Sequence, residues 1–225
     1  MWSTRRSEMS RDHISQLQPL KICDGWSVVL NNLNSEKRTE EEYELLILQN
    51  EKRNAIIKVL HQDDQYHIKV VGLKIDKIYD VESFDKIEHV LEELEYQIWS
   101  VGSGVLEDLQ PLTQQVPDFL RLKIPAGWTV DYITLKDTDP KTLEASDDAW
   151  LFDFNQDLLQ ISHKAKNLLL DVGWYPEGDP TGNYGIELIK NEDWENPLEE
   201  IMCTELKELI AQLDHIFMRE MKNEY

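Results

Sequence analysis

Residues 20–33 read LKICDGWSVVLNNL, and residues 122–135 read LKIPAGWTVDYITL. At a constant offset of 102, Leu20, Lys21 and Ile22 match Leu122, Lys123 and Ile124. Gly25, Trp26, Ser27, Val28 and Leu33 match Gly127, Trp128, Thr129, Val130 and Leu135 at the same offset. Eight matches at one spacing mark an internal repeat. The β-branched and aromatic content of the stretch reads as the first strand of each copy.

Working outward, residues 42–49 (EYELLILQ) resemble residues 148–155 (DAWLFDFN) at an offset of 106. Ile56, Ile57, Val59 and His61 line up with Leu158, Leu159, Ile161 and His163, again at 102. Each copy ends in a helical pattern, now offset by about 119, which places an insertion late in the second copy. In the first copy, residues 43–49, 55–61 and 66–71 alternate as strands between turn residues. A helix follows over residues 83–99, with Ser83 as N-cap and Ile87, Val90, Leu91, Leu94 and Ile98 on one face. In the second copy, strands are expected over residues 150–154, 158–163, 168–174 and 184–190. Its helix is expected over residues 197–221, with Asn196 as cap, Pro197 in the first turn and Ile201, Leu206, Leu209, Leu213, Ile216 and Phe217 on its apolar face. Hairpins followed by a helix give an α+β class. The expected architecture is two tandem antiparallel ββββα units packed as a pseudo-symmetric body. The divisions are an arm over residues 1–18, a first repeat over 19–102, a linker over 103–117 and a second repeat over 118–225.

Composition bounds the function. The chain has 225 residues, 41% of them hydrophobic, with a formal net charge of -21. Seven Trp, eight Tyr and five Phe are ample for a core, so wholesale disorder is not expected. There is no apolar run of membrane-spanning length and no signal-peptide pattern, and the expected location is the cytoplasm. Phosphate and anionic-lipid binding rely on clustered Lys and Arg, and no basic stripe occurs, so neither nucleic acid nor membrane is an expected partner. Residues 1–18 sum to +1, residues 19–102 to -7 and residues 103–225 to -15. The acidity therefore sits in the second copy, and a field of that sign favours encounter with a basic protein.

Chemical motifs are few. No P-loop or GxGxxG occurs. Asp137-Thr-Asp139 opens like a calcium loop but lacks the required Gly and the closing Glu. Cys23 and Cys203 make neither a disulfide framework nor a zinc site. His61 and His163 have no matched nucleophile or carboxylate and read as strand-end or turn histidines. No catalytic residue, metal ligand or cofactor is expected.

The sequence points to a non-enzymatic acidic binding protein, of the kind that neutralises a basic toxin or nuclease, as immunity proteins and antitoxins do. The candidate partner-binding residues are Trp174, Tyr175, Glu177, Asp179 and Tyr184, in and beside a Pro- and Gly-rich loop, with Glu192, Asp193, Trp194 and Glu195. Loops of this composition commonly carry binding groups, and Trp and Tyr dominate interface hot spots. The alternatives are a chaperone or adaptor holding an apolar client, or a sugar-binding module using Trp150, Trp174, Tyr175 and Trp194.

Overall fold

The computed structural model describes residues 13–34, 42–73, 78–107 and 115–222. Ten strands form one antiparallel sheet. The first five are β1 (Ser27–Asn31), β2 (Glu42–Asn50), β3 (Ala55–Gln62), β4 (Gln65–Gly72) and β5 (Ile78–Phe84). The second five are β6 (Thr129–Ile133), β7 (Leu159–His163), β8 (Leu168–Tyr175), β9 (Asn183–Lys190) and β10 (Glu199–Cys203). The spatial order is β10-β9-β8-β7-β6-β1-β2-β3-β4-β5, so two five-stranded meanders meet edge to edge at β1 and β6. The helices are α1 (His13–Gln16), α2 (Ile87–Gly102), α3 (Ala149–Asp153) and α4 (Leu206–Lys222). The α+β class expected from the sequence is observed.

The repeated GW segments make the seam between the meanders. Ser27 stands opposite Thr129, its counterpart 102 residues on, and their hydroxyls lie 2.8 Å apart. Val28 N–H donates to the Trp128 carbonyl at 2.8 Å, and Val130 N–H donates to the Trp26 carbonyl at 2.9 Å. Gly25 N–H reaches Val130, and Gly127 N–H reaches Val28, each at 2.8 Å. Leu20 and Leu122 exchange both of their hydrogen bonds. Every bond in the seam therefore has a partner bond 102 residues away.

The core lies on one face of the sheet. Trp26 and Trp128 are buried beneath α2 and α4. Trp26 Nε1 donates to the Ile98 carbonyl at 3.1 Å, and the Trp128 ring meets Phe217 edge-on at 5.3 Å. Val90, Leu94 and Ile98 of α2, and Leu209, Leu213 and Phe217 of α4, are among the buried helix positions, at the helical spacing read from sequence. The buried Glu95 carboxylate on α2 joins the halves. It accepts the Lys21 N–H at 3.1 Å and two Arg121 N–H groups at 2.7 and 2.8 Å. On α4, Asp214 pairs with Lys123 at 3.8 Å.

Strand register corrects several expectations. Each meander has five strands, not four. Residues 149–153 form α3 and not a second strand; the strand that pairs with β6 is β7. β1 and β6 are each interrupted by one irregular position, Val29 and Asp131, again 102 apart. Beyond them the match is Leu46 with Leu159 and Leu48 with Ile161, an offset of 113. Asn50, not His61, therefore stands in the place of His163. An alternating strand pattern repeats every two residues, so the sequence fits several offsets equally well. Lys69 and Glu187 then correspond at 118, and α2 and α4 at 119.

Two further expectations change at the helix starts. Ser83 lies inside β5, and α2 begins at Ile87 without a side-chain cap. Residues 199–203 pair with β9 as the edge strand β10, so Asn196 and Pro197 do not open a helix. Ile201 and Leu206 are five residues apart, a spacing that cannot share a helix face.

Gly25 and Gly127 have φ of 83° and 92°, which side-chain-bearing residues rarely adopt. A Cβ on Gly127 would stand 2.5 Å from the His163 ring, whereas on Gly25 it would meet the Asn50 amide at 3.2 Å. Gly127→Ala should therefore cost more stability than Gly25→Ala, with the first losing about 2 kcal/mol or more. Urea unfolding of the two variants tests this; equal losses would contradict the crowding at His163.

Candidate functional site

The register shifts locate where the second half departs from the first. Between β6 and β7 it carries 11 extra residues (113 less 102), within a segment that includes α3. Between β8 and β9 it carries five more (118 less 113), in the loop at residues 176–182. The two insertions pack on each other. Gly178 N–H donates to the Phe154 carbonyl at 2.9 Å, and Trp174 N–H to the Asn155 carbonyl at 2.8 Å.

Their foundation is an aromatic cluster. The Trp174 ring lies 5.7 Å from Trp150, 4.8 Å from Phe154 and 4.9 Å from Tyr184. All four are buried. The Trp174 Nε1–H donates to the Asp179 carbonyl at 2.9 Å, and Trp150 Nε1–H to the Glu144 carbonyl at 2.8 Å. Each indole thus ties one inserted loop to the core. Burial holds the Tyr184 hydroxyl above the ordinary tyrosine range. Trp174 and Tyr184 present no surface to a partner, and neither Trp150 nor Trp174 opens into a sugar-stacking surface.

The exposed groups on this foundation are different. Trp150 of α3 and Phe154 just after it point inward, while Leu151 and Phe152 are 69% and 70% exposed. Around them Glu144 and Asp148 are exposed. Other acids of the segment serve the local fold. Asp139 accepts the Lys141 N–H at 2.9 Å, Asp147 accepts the Glu144 N–H at 2.7 Å, and Asp153 pairs with Lys136.

Tyr175 is the sequence-named residue that the fold brings into a cluster. It lies on the face of the sheet opposite the helices. Its ring covers two glycines paired across β8 and β9, Gly173 and Gly185. A Cβ on Gly173 would stand 2.8 Å from the ring, and one on Gly185 3.1 Å from it. The hydroxyl donates to the Gln156 carbonyl at 3.2 Å. Burial and the negative charges of Asp171, Glu187 and Asp157 hold it above the ordinary tyrosine range. Asp171 is pushed above the usual carboxylate range by burial, and Asp157 and Glu187 add to this; the Gln160 amide, 3.2 Å away, opposes it.

The remaining named residues lie in two turns. Glu177 is exposed in the inserted loop, and Asp179 accepts both the Thr181 N–H and hydroxyl, which lowers its pKa. Glu192, Asp193, Trp194 and Glu195 form the exposed turn between β9 and β10. The eight residues of β9 separate that turn from the inserted loop, about 26 Å at 3.3 Å per residue. The named set is therefore two sites at opposite ends of one strand. Glu192 also borders a groove of about 530 Å³ lined by Ser162, Lys164, Asn167, Leu169 and Asn191.

Among the described residues no cluster of three or more metal-ligating side chains occurs, and no helix is long and apolar enough to cross a membrane. His61 packs between Tyr43 and Tyr66, and His163 against Trp128. Burial pushes the Cys23 thiol up to about 12 and the Cys203 thiol up to about 11. Both are thereby held in the protonated, weakly nucleophilic form. No protein-family profile, curated protein or solved structure matches the chain.

Asp171 predicts a pH-dependent stability effect. Its folded pKa is raised, so its ionised form disfavours folding above that pKa, and the penalty disappears below the ordinary Asp value of about 3.9. Asp171→Asn should raise Tm at pH 7, with the gain shrinking as pH falls toward 4. Calorimetry across that range checks this, and a lower Tm at pH 7 would contradict it.

Proposed function

We propose that this chain is a non-enzymatic acidic binding protein that docks a basic protein partner and blocks it, in the manner of immunity proteins and antitoxins. One observation carries the reading. The two insertions of the second half pack on each other, and they leave Leu151 and Phe152 of one exposed, near Glu144 and Asp148 in sequence, and Tyr175 exposed where the other begins. Solvent-exposed apolar residues on a rigid, hydrogen-bonded support have the character of interface anchors, and an acidic surround suits a cationic partner. The two halves are read as copies of one unit. In that view the first copy preserves the plain scaffold, and the additions to the second are its functional part.

The charge distribution supports the same reading. The second half carries -15 of the net -21. Such a field accelerates association at low salt and weakens as salt screens it. Inhibition then follows from coverage of the partner and needs no chemistry from this chain.

The test is a pull-down from the source cells with low- and high-salt washes, followed by binding measurements on the purified partner. A single basic protein should be retained, with affinity falling as salt rises. Leu151→Ala combined with Phe152→Ala should weaken it at least tenfold, as about 1.4 kcal/mol or more for an anchor pair implies. Retention of no basic protein, or an affinity indifferent to both salt and these substitutions, would contradict the proposal.

A further inference from the structure

On the helix-free face, strand register aligns one row of side chains across the second half. Tyr132 pairs with Gln160, Gln160 with Asp171, Asp171 with Glu187 and Glu187 with Glu200. At about 4.8 Å between strands the row is about 19 Å long. A groove of about 330 Å³ opens along it, lined by Tyr132, Asp157, Leu159, Gln160 and Asp171. Tyr175, flat on its two glycines, lies beside the Asp171 end.

We propose that this row is a docking strip for a basic polypeptide segment, with one Arg or Lys side chain seated in the groove between Tyr132 and the Asp171 carboxylate. The proposal rests on the reading of a basic partner and names where that partner's cations go.

Three observations support it. The first is charge. Among the described residues Asp157, Asp171, Glu187 and Glu200 have no Lys or Arg in ion-pair range. The strip is therefore a line of negative charge that an incoming cation would neutralise. The second is the comparison between halves. The positions matching Asp171 and Glu187 in the first half are Lys58 and Lys69, paired with each other in the same register. The fold accepts either sign at these positions, so packing does not require the acids. The third is shape. Tyr132 is 42% exposed and Tyr175 41%, and aromatic walls beside carboxylates suit an Arg or Lys side chain.

The probe is a fluorescein-labelled hexa-arginine peptide, titrated by anisotropy into the full chain at low salt. A backbone-amide NMR footprint is recorded on the same mixture. Asp171→Asn with Glu187→Gln should weaken binding at least tenfold, and the footprint should fall on β7, β8 and β9. Glu88→Gln with Glu92→Gln removes two exposed charges from α2 and should change affinity less than about twofold. Equal losses in the two double variants would overturn the proposal, because the peptide would then be reading net charge alone. Sedimentation of the free chain supplies a second arm. A dimer that Asp171→Asn with Glu187→Gln dissociates would also overturn it, and would assign the strip to Lys58 and Lys69 of a second copy. The two readings fail separately. A captured partner sensitive to Leu151 and Phe152 but indifferent to Asp171 and Glu187 removes the strip alone. Peptide docking on the strip without any basic partner in the cells removes the proposed function alone.

Discussion

The pairing of β1 with β6 is the constraint on which the rest of the molecule depends. Two five-stranded meanders, each with one long helix, would each leave a strand edge of unpaired N–H and C=O groups at the GW segment. Such edges cost free energy when buried and invite aggregation when exposed. Joining them satisfies both edges at once through the reciprocal bonds of Gly25, Val28, Gly127 and Val130. It also brings Trp26 and Trp128 into one continuous core with residues of both halves. Larger bodies bury a greater fraction of their surface, so the joined sheet is more easily stabilised than either half. The Glu95–Arg121 contact reinforces the same junction from the helix side.

Much of this was legible in the sequence. The repetition of the GW segments was visible, but their pairing was not: equivalent residues meet at a local two-fold between antiparallel strands, a long-range contact that a repeat alone does not specify. The first-half strands β2, β3 and β4 and the inward faces of α2 and α4 followed from periodicities of 2 and 3.6 residues. The strands β5 and β10 did not: residues 78–82 were given no element, and residues 199–203 were read as the first turns of the second helix. The second-half offsets were misread for a related reason. Residues 149–153 have the composition of a strand, yet Trp150 and Phe154 sit four apart, and both bury on one side of a helical turn.

The corner built from the two insertions was legible only in fragments. Tyr175 was visible as an aromatic next to a loop, but its position over Gly173 and Gly185 depends on cross-strand register, which no local pattern encodes. Leu151 and Phe152 were hidden because an apolar pair in sequence reads as core. Asp171 lies inside a strand that alternates perfectly well with or without its charge. What links these residues is the meeting of two insertions at one end of β8, a tertiary fact. A signal was nonetheless present: the length difference between the halves marked where the second half had gained chain.

One sheet, joined at the β1–β6 seam, carries a rigid corner built from the two insertions. Amide hydrogen exchange on the full chain tests this most directly. The amides of Val28 and Val130 at the seam, and of Trp174 and Gly178 at the corner, should exchange only through global unfolding, with a common opening free energy. Fast exchange at Trp174 and Gly178 beneath a protected seam would contradict the rigid corner. Fast exchange at Val28 and Val130 would contradict the joined sheet itself.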